Sequence, residues 1–297
     1  MRHAYMIIAH NNFDILKKIL KLLDHERNDF YIHLDKKIGD VDQEQFQGIC
    51  RYSTVSFTKR LSIYWGDYSQ VACEMLLLST ASANGDYGYY HLISGVDFPL
   101  KDKETILTFF DQQKGKEFVQ FDDETKKQKN VKDRLKVYHI FEKYYKDPTF
   151  LGFATKALNK VFMIFQNSIG IDRTRKNPYT IKYGSNWFSI TGEFADFVLE
   201  NEKWVEKTFR RTCCGDESLI QTLIYNSEFY ENLYDRAPKE DYRTCLRKID
   251  WQRGNPYTWT HSNYTELIES DDSYLFARKF NLAEDEQVIN KLYTRFS

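Results

Sequence analysis

The stretch Ala4-Tyr5-Met6-Ile7-Ile8-Ala9-His10-Asn11-Asn12 decides the fold class. Its short unbroken apolar run reads as a buried strand, and the chain turns polar at His10. Asn11 and Asn12 can cap a helix in which Phe13, Leu16, Ile19, Leu20 and Leu23 keep a 3.6-residue period, with lysines on the other face. Phe30-Tyr31-Ile32-His33-Leu34-Asp35 repeats the strand pattern and ends in an acid. Thr54–Phe57 gives a third strand, Tyr68–Ala83 a helix, Tyr89-Tyr90-His91-Leu92-Ile93-Ser94 a fourth strand closed by Gly95, and Phe118–Phe121 another short strand. This alternation predicts an α/β fold with a mostly parallel central sheet flanked by helices.

In such sheets ligands bind beyond the carboxyl ends of the strands. Three polar turns follow apolar strands here: Ala9-His10-Asn11-Asn12, Asp35-Lys36-Lys37 and Ser94-Gly95-Val96-Asp97. A nucleotide site is expected in that crevice. No GxGxxG follows the first strand and no GxxxxGK[ST] or GxSxG occurs, which disfavours a dinucleotide fold, a P-loop and the common hydrolase elbow. Asp40-Val41-Asp42 is formally a DxD, but it follows the second strand rather than the fourth and reads as a solvated turn.

Further along, Trp187–Ile190 predicts a strand, and Thr191-Gly192-Glu193 starts a helix running to about Glu200. Gly215-Asp216-Glu217-Ser218 places an acidic pair before an apolar run (Leu219, Ile220, Leu223, Ile224) with helical spacing. Such a carboxylate can take a proton from a hydroxyl; the plainer alternative is a helix N-terminus with an acidic first turn. Arg247–Trp251 reads as a strand, Leu275–Phe280 closes the folded domain, and an acidic helical tail follows.

The chain has 297 residues, 42% hydrophobic and 16% aromatic, enough for a substantial core, and a net charge of -1. That charge is uneven. Thr125 to Lys182 holds 14 Lys or Arg against four acids, a local balance of +10, so the remainder carries about -11. Within it, Phe150–Ile169 is amphipathic at a helical period with an aromatic face, and Arg173, Arg175, Lys176 and Lys182 follow. Two readings stand: a core helix with a solvated charged face, or an interfacial helix over 150–182 resting on an anionic membrane. No nucleic-acid motif is present.

No apolar stretch approaches the ~20 residues of a membrane span, and no signal-peptide cleavage site follows the first strand, so a cytoplasmic chain is expected, peripheral on the inner membrane face. The five cysteines, odd in number, show no CxxC or metal spacing, and reduced thiols are expected. Without repeats or linkers, one domain over 1–297 is expected, with a basic amphipathic helical insertion at about 125–182.

These pieces fall in a recognisable order. The chain resembles the core-2/I-branching family of β-1,6-N-acetylglucosaminyltransferases and peptide O-xylosyltransferases, in its shorter bacterial form. The carriers are Ala4–Asn11, Tyr31-Ile32-His33-Leu34-Asp35-Lys36-Lys37, Trp65-Gly66-Asp67-Tyr68-Ser69, Tyr90–Leu100, Gly184-Ser185-Asn186-Trp187-Phe188, Asp216-Glu217 and Phe276-Ala277-Arg278-Lys279-Phe280. The resemblance implies a GT-A-type fold and transfer of a sugar from a UDP donor with inversion, N-acetylglucosamine first and xylose or galactose as alternatives. The acceptor it implies is a glycan of a cell-surface polysaccharide, and a lipid-linked one would suit the basic segment. Glu217, beside Asp216, matches the general base. No divalent metal or other cofactor is implied; Lys279 matches the phosphate-contacting lysine, with Arg247 or Arg278 as the arginine. His10 and Asp35 match nucleoside-contacting strand ends, and Ser94, Gly95 and Asp97 fall at the ribose or donor sugar. Tyr183, Ser185, Trp187 and Trp251 are candidates for sugar binding, core filling being the alternative for the tryptophans. A binding protein with an inactive transferase fold is the reading from another class.

Overall fold

The computed structural model describes residues 1–123, 134–144, 146, 148–236 and 242–297. Strand β1 (His3–Ala9) runs parallel to β2 (Asn28–Leu34) on one side, from His3 opposite Asn28 to Ala9 opposite Leu34. β3 (Val55–Phe57) extends the sheet beyond β2, and β4 (Tyr89–Ser94) pairs in parallel on the other side of β1. Past β5 (Asp97–Pro99), β6 (Phe118–Val119) and β7 (Phe188–Thr191) complete a six-stranded sheet in the order β3-β2-β1-β4-β7-β6, with β7 antiparallel to both its neighbours. A second sheet, β5-β9-β8, is built from β5, β8 (Arg247–Ile249) and β9 (Phe276–Arg278). The expected α/β architecture, a mostly parallel sheet between helices, is what the chain adopts.

The period of two along β1 divides the core between the two faces. Tyr5, Ile7 and Ala9 pack with α1 (Phe13–Leu22), α3 (Lys103–Gln112) and the C-terminal helix α9 (Glu286–Phe296). Ala4 and Met6 face α2 (Ser69–Asn84), α5 (Gly192–Glu200), α6 (Glu202–Phe209) and α7 (Leu219–Tyr225). His3 and His91, polar residues in strands, are buried neutral: desolvation lowers the His3 pKa to about 3, and the two rings hydrogen-bond at 2.9 Å. Between α3 and α5 lies α4 (Phe150–Ser168), the described helix of the basic segment; residues 124–133, 145 and 147 of that segment lie outside the described residues. The last short helix, α8 (Tyr264–Ile268), precedes β9.

Three local expectations differ from the structure. Asn12 does not cap α1 with its side chain; it sits at φ 53° and its amide oxygen accepts from the Leu282 N–H, tying the strand end to the C-terminal region. Asp216 and Glu217 do not open the following helix but form a separate 3-10 turn, Gly215–Glu217, with α7 starting at Leu219. Arg247, a candidate for the diphosphate, is wholly enclosed. Its guanidinium donates to the carbonyls of Cys245 (2.9 Å), Leu92 (3.2 Å) and Phe188 (3.4 Å) and lies 4.6 Å from the Phe276 ring centre. Burial holds its pKa below the usual arginine value. It ties β4 and β7 of the large sheet to β8 and β9 of the small one.

Replacing Arg247 with Met leaves three buried carbonyls short of a donor, each costing about 1–3 kcal/mol. The expected outcome in thermal denaturation is a melting temperature lower by roughly 5 °C or more, with UDP affinity of the folded fraction unchanged. A fully stable variant that no longer binds UDP would return Arg247 to the ligand.

Candidate functional site

The carboxyl ends of β1, β2 and β4 carry the polar turns picked out in the sequence. Asp35 is buried at the end of β2; its carboxylate accepts from the Lys37 N–H at 2.9 Å and the Ile63 N–H at 3.3 Å, with the Lys37 ammonium 3.5 Å away. At the end of β4 the chain turns sharply. A Cβ on Gly95 would stand 2.9 Å from the Ala9 Cβ, so glycine lets this turn pass close to β1. Asp97 folds back on the turn, accepting from the Ser94 N–H and hydroxyl, both at 2.8 Å. His10 lies at the crevice surface. Its pKa is lowered, first by desolvation and then by Arg278 and Lys37, against the pull of Asp35.

Strand β9 delivers the cations. Arg278 donates to Asp97 Oδ1 at 2.8 Å and to the Ser94 hydroxyl, and its guanidinium lies 4.5 Å from the Trp187 ring centre. Trp259 fixes the main chain here, its indole N–H donating to the Arg278 carbonyl (2.8 Å) and its backbone N–H to the Lys279 carbonyl (3.0 Å). Lys279 is half-buried, and its ammonium makes no ion pair with a described residue. Arg278 and Lys37 bring positive charge to these strand ends, Lys279 follows Arg278 in the chain, and Arg247 is enclosed away from them.

The acidic turn is held from two sides. The Gly184 N–H donates to the Glu217 carbonyl at 2.9 Å, and the Ser218 hydroxyl donates to the Lys182 carbonyl at 2.8 Å. Gly184 is required by space: a Cβ there would be 1.8 Å from the Gln120 carbonyl oxygen. Gln221 donates to the Ser185 carbonyl at 2.6 Å, and Gln120 accepts from the Ser185 N–H at 2.6 Å. On the other side the Trp65–Ser69 motif abuts the turn: the Cys214 N–H donates to the Gly66 carbonyl (2.9 Å), and Gln70 donates to Asp216 Oδ2 (2.7 Å). Trp187 of the Gly184 loop carries Arg278. Three residues span at most about 11 Å, so one short loop fastens the acidic turn and the Arg278 cation to the same side of the crevice.

The two acids differ sharply. The half-exposed Glu217 carboxylate pairs with Arg134, whose own pKa is raised by Glu217 despite desolvation. Asp216 is buried, with Oδ1 unpartnered; desolvation and then the Glu217 charge push its pKa up to about 7. Behind it on α2 stands a second buried acid, Glu74, whose pKa is raised well above the usual value by burial and by Asp216. Glu217 is the acid that can meet a hydroxyl. Asp216, expected beside it in the chemistry, lies beneath the turn and positions it.

Ser185 and Trp187 are buried in the loop that bridges the acidic turn and Arg278, and Tyr183 is partly buried beside it, its carbonyl accepting from the Asp122 N–H at 2.9 Å. Trp251 stands exposed on the turn after β8, and among the described residues it makes no hydrogen bond or ring contact with the crevice. Arg134, Gln70 and Glu74 escaped the sequence reading. The Gln70 signal was its position one residue after the Trp65–Ser69 motif; Arg134 carries none beyond its place in a basic run.

All five cysteines are unpaired, and the Cys213 and Cys214 sulfurs stand 3.7 Å apart. His139, Glu142 and Cys213 each bring one possible ligand atom within 4.8 Å of the others. As it stands, the group is a His139–Glu142 hydrogen bond of 2.9 Å beside a thiol.

A sequence model described as Core-2/I-Branching enzyme matches residues 3–271. Rat xylosyltransferase 2 is 25% identical over 312 aligned residues, covering 98% of this chain and 33% of its own length. A Ciona intestinalis xylosyltransferase is 23% identical, with 98% and 34% covered. The chain thus spans about a third of the length of these curated relatives. Among solved structures, galactosyltransferase LgtC in complex with donor and acceptor sugar analogs superposes with a TM-score of 0.40 at 9% identity, covering 99% of this chain and 96% of that one.

The buried Asp216 yields a pH test. Its folded pKa is raised, so its stabilising contribution is complete below the unfolded value near 4 and is lost as pH rises through about 7. Asp216→Asn is expected to stabilise relative to wild type by on the order of 4 kcal/mol at pH 8 and by less than half of that at pH 5, in denaturant titrations. An effect of the same size at both pH values would mean that Asp216 is ionised throughout.

Proposed function

The chain belongs to the core-2/I-branching enzyme family, and we propose that it is an inverting, metal-independent glycosyltransferase acting on a UDP-sugar. The observation that carries this reading is the joint anchoring of Glu217 and Arg278 by the Gly184–Trp187 loop. In-line transfer needs a base on the acceptor side and positive charge on the leaving-group side. Glu217 takes the proton from the acceptor hydroxyl as its oxygen forms the new bond to the anomeric carbon. The bond from that carbon to the diphosphate breaks, and its electron pair passes to the UDP oxygen. Lys279 and Arg278 meet this developing charge in the role a metal ion would otherwise fill. Arg134 holds the base carboxylate until the acceptor hydroxyl competes for it.

Asp35 and His10 then line the nucleoside end of the crevice, and the Ser94-Gly95-Val96-Asp97 turn faces the ribose or donor sugar. The acceptor is a glycan hydroxyl, in synthesis of a cell-surface polysaccharide. N-acetylglucosamine is the first donor sugar to test; xylose follows because the relatives carry that sugar in their names. A binding protein without catalysis has no use for a half-exposed carboxylate poised on a rigid turn.

The test is UDP release from a panel of UDP-sugars, with and without acceptor, in EDTA. Glu217→Gln is expected to lower turnover by ~10²–10⁴-fold with UDP affinity within about twofold of wild type. Lys279→Ala should weaken UDP binding roughly tenfold or more while leaving the melting temperature unchanged, because its ammonium supports no described ion pair. UDP binding with no turnover for any donor, and no change on Glu217→Gln, would favour the binding protein.

A further inference from the structure

Helix α4 is amphipathic with its faces reversed. The side it packs inward is small and polar: Gly152, Thr155, Asn159 and Gln166. This orientation is fixed by hydrogen bonds. Gln166 accepts from the Tyr138 N–H (2.7 Å) and donates to the Tyr138 carbonyl (2.9 Å), while Asn159 donates to buried Glu142 (3.1 Å). The side facing outward carries Phe150 (84% exposed), Phe153 (72%), Val161 (65%), Ile164 (62%), Leu158 and Phe165. Globular chains rarely leave so large a contiguous apolar surface to water.

Lys156 and Lys160 are exposed along the same helix. Directly past its end, at Gly170 and Ile171, the chain enters a groove of about 1180 Å³ running between this segment and α6. Seven cations line it, among them Arg173, Arg175, Lys176, Lys207, Arg210 and Arg211, against the two acids Asp172 and Glu206. Asp172 pairs with Arg175 at 3.5 Å and Glu206 with Arg210 at 3.4 Å, which leaves most of the positive charge uncompensated. No described helix is long and apolar enough to cross a membrane.

We propose that this face docks on the surface of a bilayer rich in anionic lipid, with the apolar side of α4 in the headgroup–acyl boundary and the basic groove on the lipid phosphates. Apolar burial and cation attraction then act together in a helix lying flat. The cytoplasmic leaflet of the plasma membrane supplies such a surface. A second copy of the chain fits less well, because a symmetric contact through this face would bring two strongly basic segments together. The segment is also stitched to the chain just before the acidic turn: the His139 N–H donates to the Arg211 carbonyl (3.0 Å) and the Cys213 N–H to the Arg134 carbonyl (3.1 Å). Docking therefore brings the Glu217 turn toward the lipid surface, where a lipid-linked acceptor stands. That last consequence rests on the transferase reading; the docking does not.

The test is co-sedimentation of the full chain with vesicles of phosphatidylcholine alone and of phosphatidylcholine mixed with phosphatidylglycerol, beside sedimentation velocity without vesicles. The expected result is binding to the mixed vesicles, weak binding to the neutral ones, and partial release by salt. Phe153→Ser with Ile164→Ser should cut binding at least tenfold, and Arg175→Glu with Lys176→Glu should cut it about fivefold per charge removed. Both pairs lie outside the crevice and should keep wild-type UDP affinity and melting temperature, which separates lost docking from lost folding or lost transferase function. Equal binding to both vesicle types would overturn the commitment to anionic lipid. No binding to either, or a dimer dissolved by the Phe153/Ile164 pair, would overturn the membrane as the occupant.

Discussion

A guanidinium shut inside the protein is the constraint on which the remaining architecture depends. Among the described residues Arg247 has no carboxylate in contact; three main-chain carbonyls and the face of Phe276 surround it. Leaving a cation without hydrogen bonds at this depth would be prohibitive, so those carbonyls cannot move away from it. Two of them belong to adjacent strands of the large sheet, β4 and β7, and the ring belongs to the small sheet. The junction of the sheets is thereby set, and with it the distance from the end of β4 to β9. Asp97, within the field of Arg247, is left to pair with Arg278 on the crevice side. One arginine holds the frame, and another, Arg278, stands at the crevice.

The acidic turn shows how neighbouring residues of similar chemistry acquire separate roles. Glu217 has solvent and Arg134; Asp216 has Gln70, an apolar surround and a second buried acid in Glu74. Burial withdraws Asp216 into the structure and leaves the Glu217 carboxylate at the surface of the turn. A neutral Asp216 also spares Glu217 a like charge one residue away. The Gly184 contact completes the arrangement, since the close approach of its Cα to the Gln120 carbonyl leaves no slack between the edge of the sheet and the turn.

Much of the frame was legible because burial on both faces leaves a plain mark. β1, β2 and β4 appear as largely apolar runs, and their polar ends do lie together. Asp35, Ser94 and Asp97 were named from polar turns at strand ends, where local turn chemistry limits the possibilities, whereas Glu217, Arg278 and Lys279 were named through the family resemblance. Arg247 was proposed through the family resemblance; a strand that opens on Arg-Lys has two cations pointing to opposite faces, and the sequence does not say which one turns inward. Arg134 was invisible for a different reason. Its partner is distant in sequence, and nothing in a run of basic residues marks the one that finds a carboxylate.

Helix α4 marks the limit of periodicity as a guide. A 3.6-residue pattern establishes that a helix has two faces, and ordinary burial energetics then assign the apolar one to the core. That assignment presumes that the polar face has nothing better than water to bind. Here it does: the Tyr138 backbone offers Gln166 a donor and an acceptor at once, and Glu142 offers Asn159 an acceptor inside the protein. Three internal hydrogen bonds would each contribute only about 1 kcal/mol, less than burial of the six large side chains on the other face would gain. The reversed orientation is therefore costly for the isolated chain, and it becomes favourable once an apolar phase lies against the outer face.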